Sequence, residues 1–293
     1  MPVFRPSEFF LSKDKNEVAR KLKSEGKRAQ IIAGGTGFYE LAKRGYIPEV
    51  KSVVSIMQLG LSYIDENSNH VKIGATTTLQ TLLDFGIGEK EGFEAMGDAL
   101  HEIRPVQVRN VATIGGEVCI SVPVVDLPTA LLTCRATLKI IRENEEYETN
   151  LEDFYIDAFL TKLKYGELVK EVTLPKRSDG RLHSAFVKIG RTAYDFNLIN
   201  CAVLLSSDPA GKLDSLSVYL GGVKRTPMHA TEFEKKLLGK VPDERSISDA
   251  AQSSFSKSNF LPSVHGSNEY KHAILPVVLR DCIMKAYRRA RRN

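Results

Sequence analysis

Ile31-Ile32-Ala33-Gly34-Gly35-Thr36-Gly37 is the stretch on which the fold turns. An apolar run is followed at once by two residues without a Cβ, then by a hydroxyl and a third glycine. The run reads as a strand over 29–33, and beyond it Phe38, Leu41 and Ala42 recur at helical spacing, with Gly45 as the stop signal. Strand, glycine turn and helix in that order put a ligand at the carboxyl end of a strand in an α/β sheet. A second pair, Thr113-Ile114-Gly115-Gly116-Glu117, repeats the device. Residues lacking a Cβ let the main chain bend, approach a ligand closely and present N–H groups to an anion. Two such loops, both flanked by Thr, describe a cradle for a long ligand with a diphosphate in its middle.

Working outward, residues 12–25 form an amphipathic helix with Val18, Ala19 and Leu22 on one face, and Val53, Val54 and Ile56 mark the strand after the first loop. Runs at 63–65 and 71–73 flank Asn67-Ser68-Asn69 and read as a hairpin. Thr76 to Thr78 cap a helix through Leu82, and another helix covers 91–102. Val106 to Val111 reads as a strand leading into the second loop, and a helix follows over 126–133 with Pro128 in its first turn. Further strands fall at 136–141 and 169–174. The polar turn-forming run Pro175-Lys176-Arg177-Ser178-Asp179-Gly180 marks a domain boundary. Beyond it, 184–189, 197–205 and 215–220 form an antiparallel meander. Helices follow over 232–238, 247–256 and 267–290.

The chain has 293 residues, 42% hydrophobic and 26% charged, which describes a folded protein of two ordinary domains. A net charge of +5 favours an anionic ligand without indicating nucleic acid. The basic tail Arg288-Arg289-Ala290-Arg291-Arg292 reads as cations solvating a helix C-terminus. Four scattered cysteines and six histidines without ligand spacing give no metal motif, and the cysteines read as core residues. Acidic pairs such as Glu145-Glu146 read as solvated surface in turns. The sequence shows no secretion signal and no membrane span, so the expected location is cytoplasmic. Glu40 stands where a third glycine of the common dinucleotide fingerprint belongs, and no Walker A Lys-Ser/Thr occurs. No G-x-S-x-G elbow or paired acid–base constellation is present, so no catalytic side chain is assigned. The chemistry falls to a cofactor.

Ile31-Ile32-Ala33-Gly34-Gly35-Thr36, then Val108-Arg109-Asn110-Val111-Ala112-Thr113-Ile114-Gly115-Gly116, then Pro123 and Asp126, resemble the FAD-binding medium subunit of molybdenum hydroxylases of the xanthine dehydrogenase and carbon monoxide dehydrogenase type. The likeness extends over nearly the whole chain, through Ile73-Gly74-Ala75-Thr76-Thr77, Gly166-Glu167-Leu168, Phe186-Val187-Lys188 and the helix from Tyr270. It implies an α+β fold: two α/β subdomains, about 1–57 and 58–176, forming a PCMH-type FAD-binding domain. A smaller domain over 177–293 follows, with a three-stranded antiparallel sheet and a helical bundle. It further implies that Ile31, Ile32, Ala33, Gly34, Gly35, Thr36, Gly37 and Phe38, with Thr113, Ile114, Gly115, Gly116 and Glu117, wrap the FAD diphosphate. Ile103 would line the cofactor, Asp126 would bond the ribityl hydroxyls, Leu168 and Lys188 would face the flavin end, and Phe196 would stand beside the isoalloxazine. Lys188 would tune the flavin as a nearby cation.

By the same resemblance the chain is an electron-transfer subunit of a heterotrimeric assembly. A large molybdopterin subunit would hydroxylate substrate, and a small subunit would pass electrons through 2Fe-2S clusters to FAD. The acceptor would be NAD+, a quinone or another carrier, and the isolated chain would show little turnover. Two departures from the pattern matter: Gly37 replaces a polar or acidic residue, and Glu117 stands where Asn is usual. They support an alternative in which the chain is an FAD-free scaffold that docks other subunits. A self-contained flavin oxidase is a further alternative, which would turn over substrate without partners.

Overall fold

The computed structural model describes residues 5–47, 49–177, 181–261, 263 and 266–291. Ser178 to Gly180 of the expected boundary run and Arg292 of the basic tail lie outside the described residues. Strand β1 (Glu8–Leu11) leads into helix α1 (Lys15–Glu25), where the Asp14 side chain accepts from the Asn16 N–H as a cap. Val18, Ala19 and Leu22 are the buried residues of α1, which is the face its apolar spacing selects. Strand β2 (Ala29–Ile32), helix α2 (Thr36–Lys43) and strand β3 (Ser52–Ser55) then form the β–loop–α–β unit. Both β1 and β2 run parallel to β3, which is central in the order β1-β3-β2. A parallel neighbour requires a crossover, and α2 is that crossover.

Strands β4 (Ile64–Glu66) and β5 (His70–Gly74) form the hairpin, closed by the Asn67 side chain accepting from the Asn69 and His70 N–H groups. Helix α3 (Leu79–Asp84) starts at Thr78, whose Oγ1 accepts from the Thr81 N–H. Helix α4 (Glu94–Glu102) follows. The next segment departs from expectation: Val106 to Arg109 is a helical turn, α5, and not a strand. Its carbonyls accept from close behind, Val106 from the Asn110 N–H at 2.9 Å and Val108 from the Ala112 N–H at 2.7 Å. Two apolar β-branched residues cannot by themselves distinguish a strand from a helical turn.

Helices α6 (Ile114–Cys119) and α7 (Leu127–Thr133) come next. Strands β6 (Thr137–Arg142), β7 (Glu145–Asn150), β8 (Tyr155–Asp157), β9 (Leu160–Thr161) and β10 (Glu167–Pro175) follow. The sheet β4-β5-β10-β6-β7 is antiparallel throughout. Glu145 and Glu146 therefore stand on an edge strand, not in a turn. Glu146 is bridged by Lys15 and Lys170, both at 2.9 Å, and the Lys15 and Lys170 hydrogen bonds lower its carboxyl to about 2.

Strands β11 (His183–Ile189), β12 (Ile199–Ser207) and β13 (Leu213–Gly221) form the antiparallel meander, extended by a fourth, two-residue strand β14 (Met228–His229). The expected three-stranded sheet thus gains a short edge. Helices α8 (Thr231–Leu237), α9 (Glu244–Ser254) and α10 (Asn268–Ala290) complete the chain.

Two compact units result. The first comprises Met1–Leu82, Val106–Ile120 and Ala136–Pro175, and the second Leu83–Pro105, Ser121–Arg135 and Lys176–Asn293. In the first, Val18 and Leu22 of α1 pack with Val54, Ile56, Leu61, Ile141 and Leu168. In the second, Leu275, Val278, Leu279, Cys282 and Ile283 of α10 join Ile199, Cys201, Val203 and Leu205 of β12. Cys134, Cys201 and Cys282 are buried there, and Cys119 of the first unit is half-buried.

The basic tail is not merely solvated. Arg289 grips Asp98 of α4 with two bonds, Nη1 at 2.8 Å and Nη2 at 2.9 Å, and donates to the Ser184 carbonyl. A planar guanidinium suits this bidentate geometry. Burial pushes the Asp98 carboxyl up, but the Arg289 and Lys285 hydrogen bonds together outweigh it and hold the group below its ordinary 3.8. Replacing the arginine in Arg289→Ala is expected to cost about 1.5–3 kcal/mol, measured by urea unfolding at neutral pH. Because the folded carboxyl is the stronger acid, this stabilisation is complete above the ordinary 3.8 and is lost as pH falls below it. An Asp98→Asn protein should accordingly show a flatter stability profile in that acidic window.

Candidate functional site

The first glycine loop leaves β2 at its carboxyl end, where the Ile32 carbonyl accepts from the Ile56 N–H at 3.1 Å. Gly35 is the N-cap of α2 with φ 78° and ψ −5°, a left-handed conformation that glycine adopts at least cost. It has no side chain with which to cap the helix. The first N–H groups of a helix have no partner within the helix, and they carry the positive end of its dipole. A bare N-cap on an eight-residue helix leaves that end to a ligand. Residues 31–38 are all half-exposed, including the apolar Ile31, Ile32, Ala33 and Phe38, so this surface is not closed over by the chain.

Gly34 serves a different purpose. A Cβ there would overlap the Val111 carbonyl oxygen, a main-chain atom that cannot rotate aside. The first loop is therefore locked, backbone to backbone, onto the segment that enters the second. Gly37, in the first turn of α2, faces a side chain instead: a Cβ there would overlap the terminal methyl of Ile120, at the end of α6.

The second loop is stitched to residues 75–79. Gly115 donates to the Ala75 carbonyl at 2.9 Å, Ile114 to Thr77 at 3.1 Å, and Leu79 to Ala112 at 2.9 Å. Thr78 and Thr113 face each other across an isolated bridge. Thr113 caps α6, its Oγ1 accepting from the Gly116 N–H at 3.2 Å, and its carbonyl accepts from the Glu117 N–H at 3.0 Å. The four N–H groups from Ile114 to Glu117 are thus all engaged within the chain. The two loops are not equivalent: the first offers main-chain donors, whereas the second supplies shape. A Cβ on Gly115 would stand 2.8 Å from the Ala75 carbonyl, so that glycine also makes room for protein. Gly116 is exposed, and among the described residues only Thr113 Oγ1 lies near the place of its missing Cβ, at 3.1 Å. Glu117 is half-exposed in the first turn of α6, where a negative charge stabilises the helix.

Leu168 belongs to the same unit, but the residue as a whole is 1% exposed and packs in the core with Val18 and Leu22. Its strand has a register shift between Val169 and Glu171, just beyond it in the chain.

Ile103, Asp126, Lys188 and Phe196 lie in the second unit. Ile103 ends α4 and is half-exposed. Phe196 is 45% exposed in the loop after β11, close in sequence to the open Tyr194. Asp126 and Lys188 form a buried ion pair, Oδ2 to Nζ 2.8 Å, each side chain 6% exposed. The other carboxylate oxygen accepts from Asn197 at 2.9 Å and Asn200 at 3.0 Å. Asn200 in turn accepts from Thr129 Oγ1. A buried charge needs such partners, since desolvation otherwise exceeds the attraction. Lys188, expected as a cation near the flavin, is paired with Asp126, which offsets its charge. Asn197, Asn200 and Thr129 carry no motif that would have marked them beforehand.

Sequence reading named Val111 and Ala75 only as members of motifs, without their steric role, and did not single out Ile120. The only available hint was that Gly34, Gly37 and Gly115 each follow or precede residues with side chains, which says nothing of the neighbour. Among the described residues no group of His, Cys, Asp and Glu could hold a metal ion, and no helix is long and apolar enough to cross a membrane.

The donors of the α2 start fit a diphosphate, because main-chain N–H groups at a bare helix end neutralise charge without ordering long side chains. Comparison with known proteins bears on the same region. Residues 5–177 match the family described as FAD binding domain in molybdopterin dehydrogenase, and 184–286 match the CO dehydrogenase flavoprotein C-terminal domain. The chain is 29% identical over 287 residues to the glyceraldehyde dehydrogenase medium chain of Sulfolobus acidocaldarius, covering 97% of this chain and 98% of that one. It is 27% identical over 275 residues to the carbon monoxide dehydrogenase medium chain of Afipia carboxidovorans, covering 91% of each. Its fold superposes on a chain of reconstituted CO dehydrogenase from Oligotropha carboxidovorans with a TM-score of 0.88, at 25% identity and covering 99% and 100% of the two chains. With its first 173 matched residues (5 to 177) forming more than half of the 293, the chain belongs to the FAD-binding domain family of molybdopterin dehydrogenases.

Proposed function

We propose that this chain, a medium FAD-binding subunit, carries electrons in a multi-subunit molybdenum hydroxylase. It would take them from 2Fe-2S clusters of a small partner subunit and deliver them to an external acceptor such as NAD+ or a quinone. A large molybdopterin subunit would hydroxylate the substrate, and the assembly would work in the cytoplasm. The observation that carries this reading is the start of α2: a side-chain-free N-cap at the end of a parallel strand, half-open and backed by the second loop.

Bound FAD supplies a group that takes up electrons and hands them on. The residues of this chain supply placement. The N–H groups of Thr36 and Gly37 at the start of α2 would hold the diphosphate, and Gly35 would let it approach without a side chain between. Gly116 leaves the face of the second loop flat, while Thr113 spends its hydroxyl on fixing that loop. The net charge of +5 adds a general attraction for an anionic cofactor. Ile103, Asp126, Leu168, Lys188 and Phe196 are kept as further cofactor positions on family resemblance. In this arrangement Asp126 and Lys188 act as one neutral hydrogen-bonded pair, which limits any charge-based tuning.

A second reading, the FAD-free docking subunit, draws support from the engaged N–H groups of Ile114 to Glu117. The two readings part on one titration. Purified chain mixed with FAD should show protein-bound flavin absorbance and quenched flavin fluorescence. A folded far-UV spectrum with no flavin uptake would leave only the docking role.

The glycines should separate by function. Gly34→Ala is expected to lower the thermal midpoint of the FAD-free protein, because the Val111 carbonyl cannot yield. The cost should be about 1–3 kcal/mol, as for overpacking. Gly116→Ala should leave that midpoint within about 2 °C and act on the FAD dissociation constant instead. Equal effects of both variants on the FAD-free midpoint would contradict this division.

A further inference from the structure

We infer that Ile120 is a positioning residue for the cofactor, seating the first turn of α2 by filling the space over Gly37. The inference rests on the reading of the α2 start as the diphosphate site. Gly37 is not demanded by its backbone: it is helical, and its φ lies outside the left-handed range. Inside a helix glycine is less favourable than alanine by about 1 kcal/mol. Its neighbour explains it. A Cβ at 37 would overlap Ile120 Cδ1 and stand 3.4 Å from Cγ1 and 3.8 Å from Cβ of the same side chain.

Ile120 is the C-cap of α6, and its N–H donates to the Gly116 carbonyl at 3.1 Å. The main chain of Ile120, from which its side chain projects, is therefore set by the helix that begins at the second loop. Gly34 against Val111 and Gly37 against Ile120 give the α2 start two points of support, less than one helical turn apart. One support would let the helix pivot. Two fix the direction in which its first N–H groups face, relative to Gly116. The same contact accounts for the absence of a polar side chain at 37: Ile120 occupies its place, and the anion is read by main chain alone.

The test is a double-mutant cycle on the full chain: wild type, Gly37→Ala, Ile120→Ala and the pair. Two quantities are read for each, the thermal midpoint without cofactor and the dissociation constant for FAD by fluorescence quenching. Gly37→Ala should weaken FAD binding about fivefold or more in the wild-type background. In the Ile120→Ala background the same change should matter less than about twofold. Ile120→Ala alone should weaken FAD about threefold with the far-UV spectrum retained. Equal weakening by Gly37→Ala in both backgrounds, or none in either, overturns the inference. Coupling in the midpoints with none in the FAD constants makes Ile120 a packing residue only, and overturns it too. A wild-type chain that takes up no FAD defeats the functional reading itself, whereas wild-type uptake without coupling defeats this inference alone.

Discussion

The approach of one main chain to another at Gly34 is the constraint on which the first unit depends. Where the Val111 carbonyl oxygen comes to rest, a side chain at 34 cannot exist. That contact brings the end of a parallel strand against the segment entering α6, and the two are 77 positions apart (111 minus 34). Once it is made, the backbone beyond it has few conformations open to it. Gly35 must take a positive φ to turn out of the contact, and α2 starts there with a bare N-cap. The glycines therefore do two jobs that look identical in a one-dimensional pattern. Some admit protein, others admit a ligand.

The second unit solves a different problem, the burial of charge. Asp126 and Lys188 sit out of water and are held by Asn197 and Asn200 from the adjacent chain segments. Asp98 is held by Arg289 and Lys285 of the last helix. In each case a carboxylate joins elements far apart in the chain, so the pairs report on tertiary closure. Removing one partner would leave the other desolvated, which is why such pairs are costly to break even where they add little when whole.

Much of the architecture was legible in the chain itself. The apolar faces of α1 and α10, the Asn67 turn, and the β2–α2–β3 unit follow from periodicity, turn chemistry and the glycine pair, all local properties. The family resemblance extended this to the cofactor. The failures share a cause. Val106 to Arg109 carries β-branched residues but closes a helical turn because its carbonyls find donors four residues on. Glu145 and Glu146 look like turn residues but lie in an edge strand, where a charged face is tolerated and Lys15 and Lys170 are within reach. The Arg289 grip on Asp98 spans 191 positions.

What the chain alone determined is where its backbone is free: at 34–35 and 115–116 no Cβ restricts it, and each freedom comes directly after an apolar run. Conformational range is a property of a residue and its neighbours, so it can be read without a fold. What those freedoms are used for was decided only in three dimensions. Val111, Ala75 and Ile120 occupy three of the vacated Cβ positions, and Asp126 meets Lys188 across 62 positions of chain. Steric exclusion and charge pairing act through space at a few ångströms, and sequence separation carries no record of that distance.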